Sequence, residues 1–346
     1  METLRNKENT IPELCNKKYR IKDEEPKIAV IGDMHLHHST PASRIDNYPE
    51  TCCQKLSILR RELVTRGIKY LICAGDIFHI PKERTDFEFS IISELLKFKK
   101  SGIQFFVING NHDIPSDRLD NISKTSLGIC YLTESINPFT EIVFEREDRD
   151  IVITGTPFPN DIEPVKEFES YNINVCHKFY EVSTDQNSLM KKDLTKLGYN
   201  LYICGHDHVV YPLEKETTTE GIVYIIRPGS FMRGTAHKYN TTRMVYMDVL
   251  DFSKKVREKG KQIEIERVTL PVKDPREIFS ATVVDKGQDR DLKDISQELA
   301  NLVDRLYSQD VAETSVYDVL DNSVIDAQIK DRIVQYLELY GIYRKQ

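Results

Sequence analysis

Seven short apolar runs punctuate residues 28 to 230, and five of them end in polar residues able to bind a metal. IAVIGDMH (28–35) delivers Asp33 and His35, YLICAGDIFH (70–79) Asp76 and His79, and FFVINGNHD (105–113) Asn111, His112 and Asp113. INVCH (173–177) ends in His177, and LYICGHDH (201–208) in His206 and His208. Apolar runs of this length closed by Gly, Asn or Asp read as buried strands. IVITGTP (151–157) and IVYIIRPGS (222–230) carry no ligand and are expected to complete the sheet and its rim.

Between the strands the period changes. Pro49 to Arg66 predicts a helix: Pro fits the first turn, Cys52, Leu56, Leu59 and Leu63 form one stripe, and Gly67 supplies the stop. A second helix is expected over Arg84 to Lys100, ending before Gly102. Strands separated by helices imply parallel pairing through crossovers. Polar residues at the C-terminal ends of such strands lie where an open α/β sheet places its site.

The residue types suit two divalent cations. A pair about 3.5–4 Å apart needs a bridging carboxylate with imidazole, amide and carboxylate ligands on either side. Asp76 is the expected bridge, with Asp33, His35 and His208 completing one shell and Asn111, His177 and His206 the other. No cysteine falls at a ligand position, and an oxygen and imidazole set suits manganese, iron or zinc.

Taken in order, DxH, GDxxx, GNHD, a lone His and GHxH resemble the calcineurin-like metallophosphoesterases over roughly residues 27–235. The resemblance implies a four-layer αββα sandwich. Within the family, GDIFH at 75–79 is most similar to the SbcD-type DNA repair nucleases and their phage relatives, and the GDxVDRG continuation of protein serine/threonine phosphatases is missing. It implies that His112 acts on the leaving oxygen with Asp113 orienting its ring, and that His79 sits near the scissile phosphate. His37 and His38 read as solvated loop residues, His237 as a rim residue, and Arg227 and Arg233 as either ordinary surface arginines or DNA-phosphate contacts.

Beyond Ser230 the pattern becomes antiparallel. RMVYMDVL (243–250) and QIEIERVTL (262–270) predict a hairpin around FSKKVREKGK, whose five basic residues against Glu258 read as a solvated tip. Leu292, Ile295, Leu299, Val303 and Leu306, then Ile325, Ile329, Ile333, Leu337 and Tyr340, recur at helical spacing. The expected organisation is an N-terminal arm (1–26), a catalytic domain (27–250), a β-hairpin and linker (251–287) and a helical segment (288–346). That segment reads most simply as a helical hairpin closing on itself or on the core, and the resemblance implies the alternative of a docking site for an SbcC-type coiled-coil ATPase, with a homodimer expected by analogy.

Composition narrows the setting. In 346 residues, 40% hydrophobic and 30% charged, no apolar run approaches the roughly 18 residues of a membrane span. Seven cysteines without a CxxC argue against a disulfide framework, and a reducing cytosol is expected. Cys73, Cys176 and Cys204 read as small buried thiols. The net charge of -7 gives no general basic footprint for DNA, so bound cations or a partner must supply that grip. The expected function is a metal-dependent phosphodiesterase, a DNA exo- or endonuclease subunit acting in recombination or repair. The alternatives are a stand-alone phosphoesterase for a small phosphoester and a non-catalytic binding scaffold.

Overall fold

A computed structural model describes residues 13–280 apart from 167, 183–186, 220 and 235–237. Two sheets face each other. One has six strands in the order Glu264–Leu270, Val245–Asp251, Lys27–Ile31, Tyr70–Cys73, Gln104–Val107 and Asn137–Pro138. The other has seven, in the order Lys18–Lys22, Glu141–Glu145, Ile151–Thr156, Tyr171–Cys176, Leu201–Cys204, Gly221–Ile226 and Glu214–Thr218.

Alternation along each strand explains the layering. Ala29, Ile31, Leu71 and Cys73 face the helices, whereas Ile28, Val30, Tyr70 and Ile72 face the second sheet and meet Ile151, Ile153, Ile173 and Leu201. Strands buried on both faces are mostly apolar, which is why they stand out in the sequence. Helix α1 (Tyr48–Thr65) buries the predicted Cys52, Leu56, Leu59 and Leu63, and its N-terminus is capped by the Asn47 side chain, which accepts from the Glu50 amide. Helix α2 (Thr85–Lys100) buries Phe87, Ile91, Leu95 and Phe98 against the same sheet. The outer face of the seven-stranded sheet is covered by Val165, Leu189 and the short helix Leu194–Leu197.

Two segments differ from the sequence reading. Lys18–Lys22 is no loose arm but an edge strand, paired in parallel with Glu141–Glu145. Its alternating, half-exposed KYRIK has the weak pattern expected of an edge. The predicted hairpin forms, yet Val245–Asp251 pairs antiparallel with Lys27–Ile31, so the hairpin widens the six-stranded sheet and contributes Met247, Val249, Val268 and Leu270 to its core. Its linker is not simply a solvated tip. Lys254–Glu258 is a short helix with Val256 buried, and Arg257 pairs with Asp148 at 2.8 Å. The helices expected over 288–346 lie outside the described residues.

Among the described residues no helix is long and apolar enough to cross a membrane, and the seven cysteines are free.

Candidate metal centre

The loops that leave the C-terminal ends of five strands converge. Asp33 and His35 follow Lys27–Ile31, Asp76 follows Tyr70–Cys73, Asn111 and His112 follow Gln104–Val107, His177 follows Tyr171–Cys176, and His206 and His208 follow Leu201–Cys204. Side-chain ligand atoms gather in two groups that share Asp76. Asp33, His35, Asp76 and His208 make one, and Asp76, His177 and His206 the other, with the atoms of each group within 4.8 Å of one another. Asn111 Oδ1 joins the second group, 3.0 Å from His177 Nε2.

Backbone conformation brings them there. His35, Asp76 and His206 adopt φ of 46°, 50° and 79°, a region that non-glycine residues enter at a cost of about 1–3 kcal/mol each. The amides of Met34 and His35 donate to the Asp76 carbonyl at 2.8 and 2.9 Å, locking two of the loops together. Gly110 leaves room for Asp76: a Cβ there would lie 2.1 Å from Asp76 Oδ1.

The two carboxylates are bound in the same way. Asp33 Oδ1 accepts the His206 amide at 2.8 Å, and Asp76 Oδ1 accepts the His112 amide at 3.0 Å. In each, Oδ2 is buried with no hydrogen-bond partner. A buried carboxylate oxygen without a donor is costly, and that of Asp76 faces imidazole nitrogens. Asp76 Oδ2 is 3.3 Å from His177 Nε2 and 3.6 Å from His35 Nε2. His177 Nδ1 donates to the Ala74 carbonyl at 2.8 Å, which fixes the ring with Nε2 toward the carboxylates, as a metal-binding histidine requires. His35 Nε2 and His208 Nε2 approach to 2.8 Å, two ring nitrogens aimed at one point. Orphaned oxygens and converging ring nitrogens fit divalent cations.

Charge is unevenly distributed. Burial pushes the Asp33 carboxyl up to about 7, with Asp76 adding to the shift and His177 opposing it. For Asp76 the burial penalty is outweighed by His177, His112 and His35, which hold it well below the usual carboxylate range. His177 is raised to about 10, because Asp76 and Asp33 overcome the opposite effect of burial. Burial lowers His35 well below its ordinary value, His206 to about 3 and His208 to about 4. Those three rings are therefore neutral and offer lone pairs, the state in which imidazole binds metal.

His112 and His79 lie beside the ligands. Their rings stack at 5.4 Å and 20°, and His35 packs edge-on to both. The contact expected from Asp113 is not made. His112 Nδ1 donates instead to the His79 carbonyl at 2.7 Å. Asp113 is fully buried and accepts the amides of Phe78 (3.0 Å), Gly110 (2.9 Å) and Ile77 (3.3 Å), so its oxygens tie together the loops after two strands.

The remaining candidates separate. His37 and His38 do not extend into solvent; both turn onto Glu83. That glutamate is 45 residues from His38 and has no motif of its own. Arg227 pairs with Glu214 and lies 3.3 Å from the Tyr211 ring centre, and Arg233 is buried and donates to the Lys273 carbonyl. Neither presents a free guanidinium face. His237 lies outside the described residues.

No curated protein matches the sequence. Among solved structures, TT1561 of Thermus thermophilus is similar at 8% identity and a TM-score of 0.41, over 71% of this chain and 99% of that one. A second is similar at 12% identity and a TM-score of 0.39, over 70% and 99%. The model of one family, described as calcineurin-like phosphoesterase, matches residues 26–210. That stretch contains each residue of both ligand groups and more than half of the sequence, and the chain belongs to the calcineurin-like phosphoesterase family.

Proposed function

We propose that the chain is a phosphodiesterase that uses two divalent cations, best manganese with iron or zinc as alternatives, and that it cuts DNA as a nuclease subunit of SbcD type. The observation that carries the hydrolytic reading is the pair of buried Oδ2 atoms of Asp33 and Asp76 that accept no hydrogen bond, within two ligand groups that share Asp76. Asp33, His35, Asp76 and His208 would hold one ion, and Asp76, Asn111, His177 and His206 the other. Such a pair supplies Lewis acidity toward a phosphoryl group and activates water at neutral pH.

The chain's own side chains supply the rest. With Nδ1 bound to the His79 carbonyl, His112 keeps Nε2 to hold or deliver a proton at the leaving oxygen. His79 is lowered to about 3, by burial first and then by His112 and His37, so it meets a phosphate as a neutral hydrogen-bond donor. Asp113 is a positioning residue for the loops that carry Asp76 and His112. The DNA assignment rests on GDIFH at 75–79, and the terminal helices are proposed to dock the coiled-coil ATPase, with a homodimer as the assembled form.

One preparation tests this. Manganese-dependent degradation of single- and double-stranded DNA is compared with turnover of a generic small phosphodiester. DNA cleavage is expected. Turnover of the small ester with DNA left intact would favour the stand-alone phosphoesterase, and no turnover of either by the fully metal-loaded protein would favour the scaffold.

A further inference from the structure

We propose that His37, His38 and Glu83 form a third divalent-cation site, separate from the two groups that share Asp76. His37 Nδ1 lies 2.8 Å from Glu83 Oε1, and His38 Nδ1 lies 2.5 Å from Glu83 Oε2. The three side chains offer ligand atoms within 4.8 Å of one another. Glu83 comes from the loop before α2, so two distant stretches of chain meet here.

The carboxylate carries the argument. Its side chain is 0% exposed, and among the described residues no lysine or arginine lies within ion-pair distance of it. It accepts the His38 amide at 3.0 Å and otherwise meets the two ring nitrogens, so a cation held by those rings would take the place of their protons as its partner. The histidine side chains keep 18% and 20% exposure, enough for a cation to enter and retain water positions. Glu83 is also fixed from behind: its amide donates to Ser126 Oγ at 2.7 Å, and that hydroxyl donates to Glu88 at 2.5 Å. Two imidazoles and one carboxylate are the protein ligand set of an open zinc site, and manganese or iron fits the same donors less selectively.

The site is one imidazole away from the first centre. The His37 ring is 5.0 Å from that of His79, which is 5.4 Å from that of His35. A cation there extends positive charge along the edge of the centre, where a polyanionic substrate would present its next phosphate. That consequence rests on the proposed function; the site itself does not.

The test counts ions. The full chain is stripped with a chelator and titrated calorimetrically with zinc, and bound metal is measured by elemental analysis after gel filtration. Three equivalents are expected for the wild type, two for Glu83→Gln and for the double variant His37→Gln/His38→Gln, and one for Asp76→Ala. The double variant changes partly exposed side chains and keeps the test decisive if Glu83→Gln fails to fold. A wild type that stops at two equivalents, or a double variant that binds as many ions as the wild type, overturns the third site. Retention of every ion by Asp76→Ala would instead overturn the dinuclear reading and leave the third site standing.

Discussion

Replacing Asp113 by alanine separates a residue that tunes His112 from one that holds the centre together. The substitution removes the acceptor of two well-formed buried hydrogen bonds, from the Phe78 amide at 3.0 Å and the Gly110 amide at 2.9 Å, and of a longer one from Ile77 at 3.3 Å. A buried donor left unsatisfied costs about 1–3 kcal/mol, so the two shorter bonds alone give about 2–6 kcal/mol. Part of that is offset, because the wild-type carboxyl is itself costly to ionise there: burial, and then Asp76, push it up to about 7. The expected net loss at neutral pH is therefore smaller than that sum, about 1–3 kcal/mol, still a large share of the roughly 5–15 kcal/mol that holds a typical domain folded. Asp113→Asn, which keeps one acceptor oxygen, should lose about half as much. Urea unfolding of the metal-free chain measures the loss, and the manganese content of the folded variant should fall because Asp76 and Asn111 lose their tether. A loss below about 0.5 kcal/mol, the range of ordinary surface substitutions, with full metal content and an altered pH–rate profile, would refute this and restore Asp113 as the partner of the His112 ring.

Asp76→Ala should abolish hydrolysis and strip the paired ions together, whereas His208→Ala should weaken chiefly the ion held with Asp33 and His35; metal analysis alongside activity checks both. His112→Ala should keep both ions and lose about 10²–10⁴ in rate, the usual range for a positioned acid or base, and loss of both metals would make it a structural support instead. His177, raised to about 10, stabilises the metal-free fold fully below its unfolded value near 6.5 and loses that contribution as pH rises through about 10. The urea midpoint of the metal-free chain should thus fall between pH 7 and 10, and saturating manganese should flatten the decline. Removing residues 288–346 should preserve turnover of a small phosphodiester and abolish capture of the coiled-coil ATPase; undiminished capture would end the docking proposal.

The strands of the inner layers were legible because burial on both faces makes them largely apolar, as in Leu201–Cys204 and Tyr70–Cys73, each buried throughout. The residues that gather at the candidate centre were legible because they sit directly after such runs. Edge elements were not: Lys18–Lys22 and Glu214–Thr218 alternate between half-buried and exposed positions and resemble loops. The hairpin's strands were readable, but its pairing partner was not, since Val249 and Ala29 become neighbours only across 220 residues of chain.

Local sequence thus determined which residues end at the mouth of the sheet, because strand length and turn chemistry are short-range properties. Only the tertiary structure decided what each does there. It gave Asp113 to three backbone amides rather than to the His112 ring, and it turned His37 and His38 onto a glutamate that no local pattern connects to them. Hydrogen-bond partners and charge pairs are chosen by distance in space, and two loops packed side by side settle that choice only once the sheet beneath them has formed.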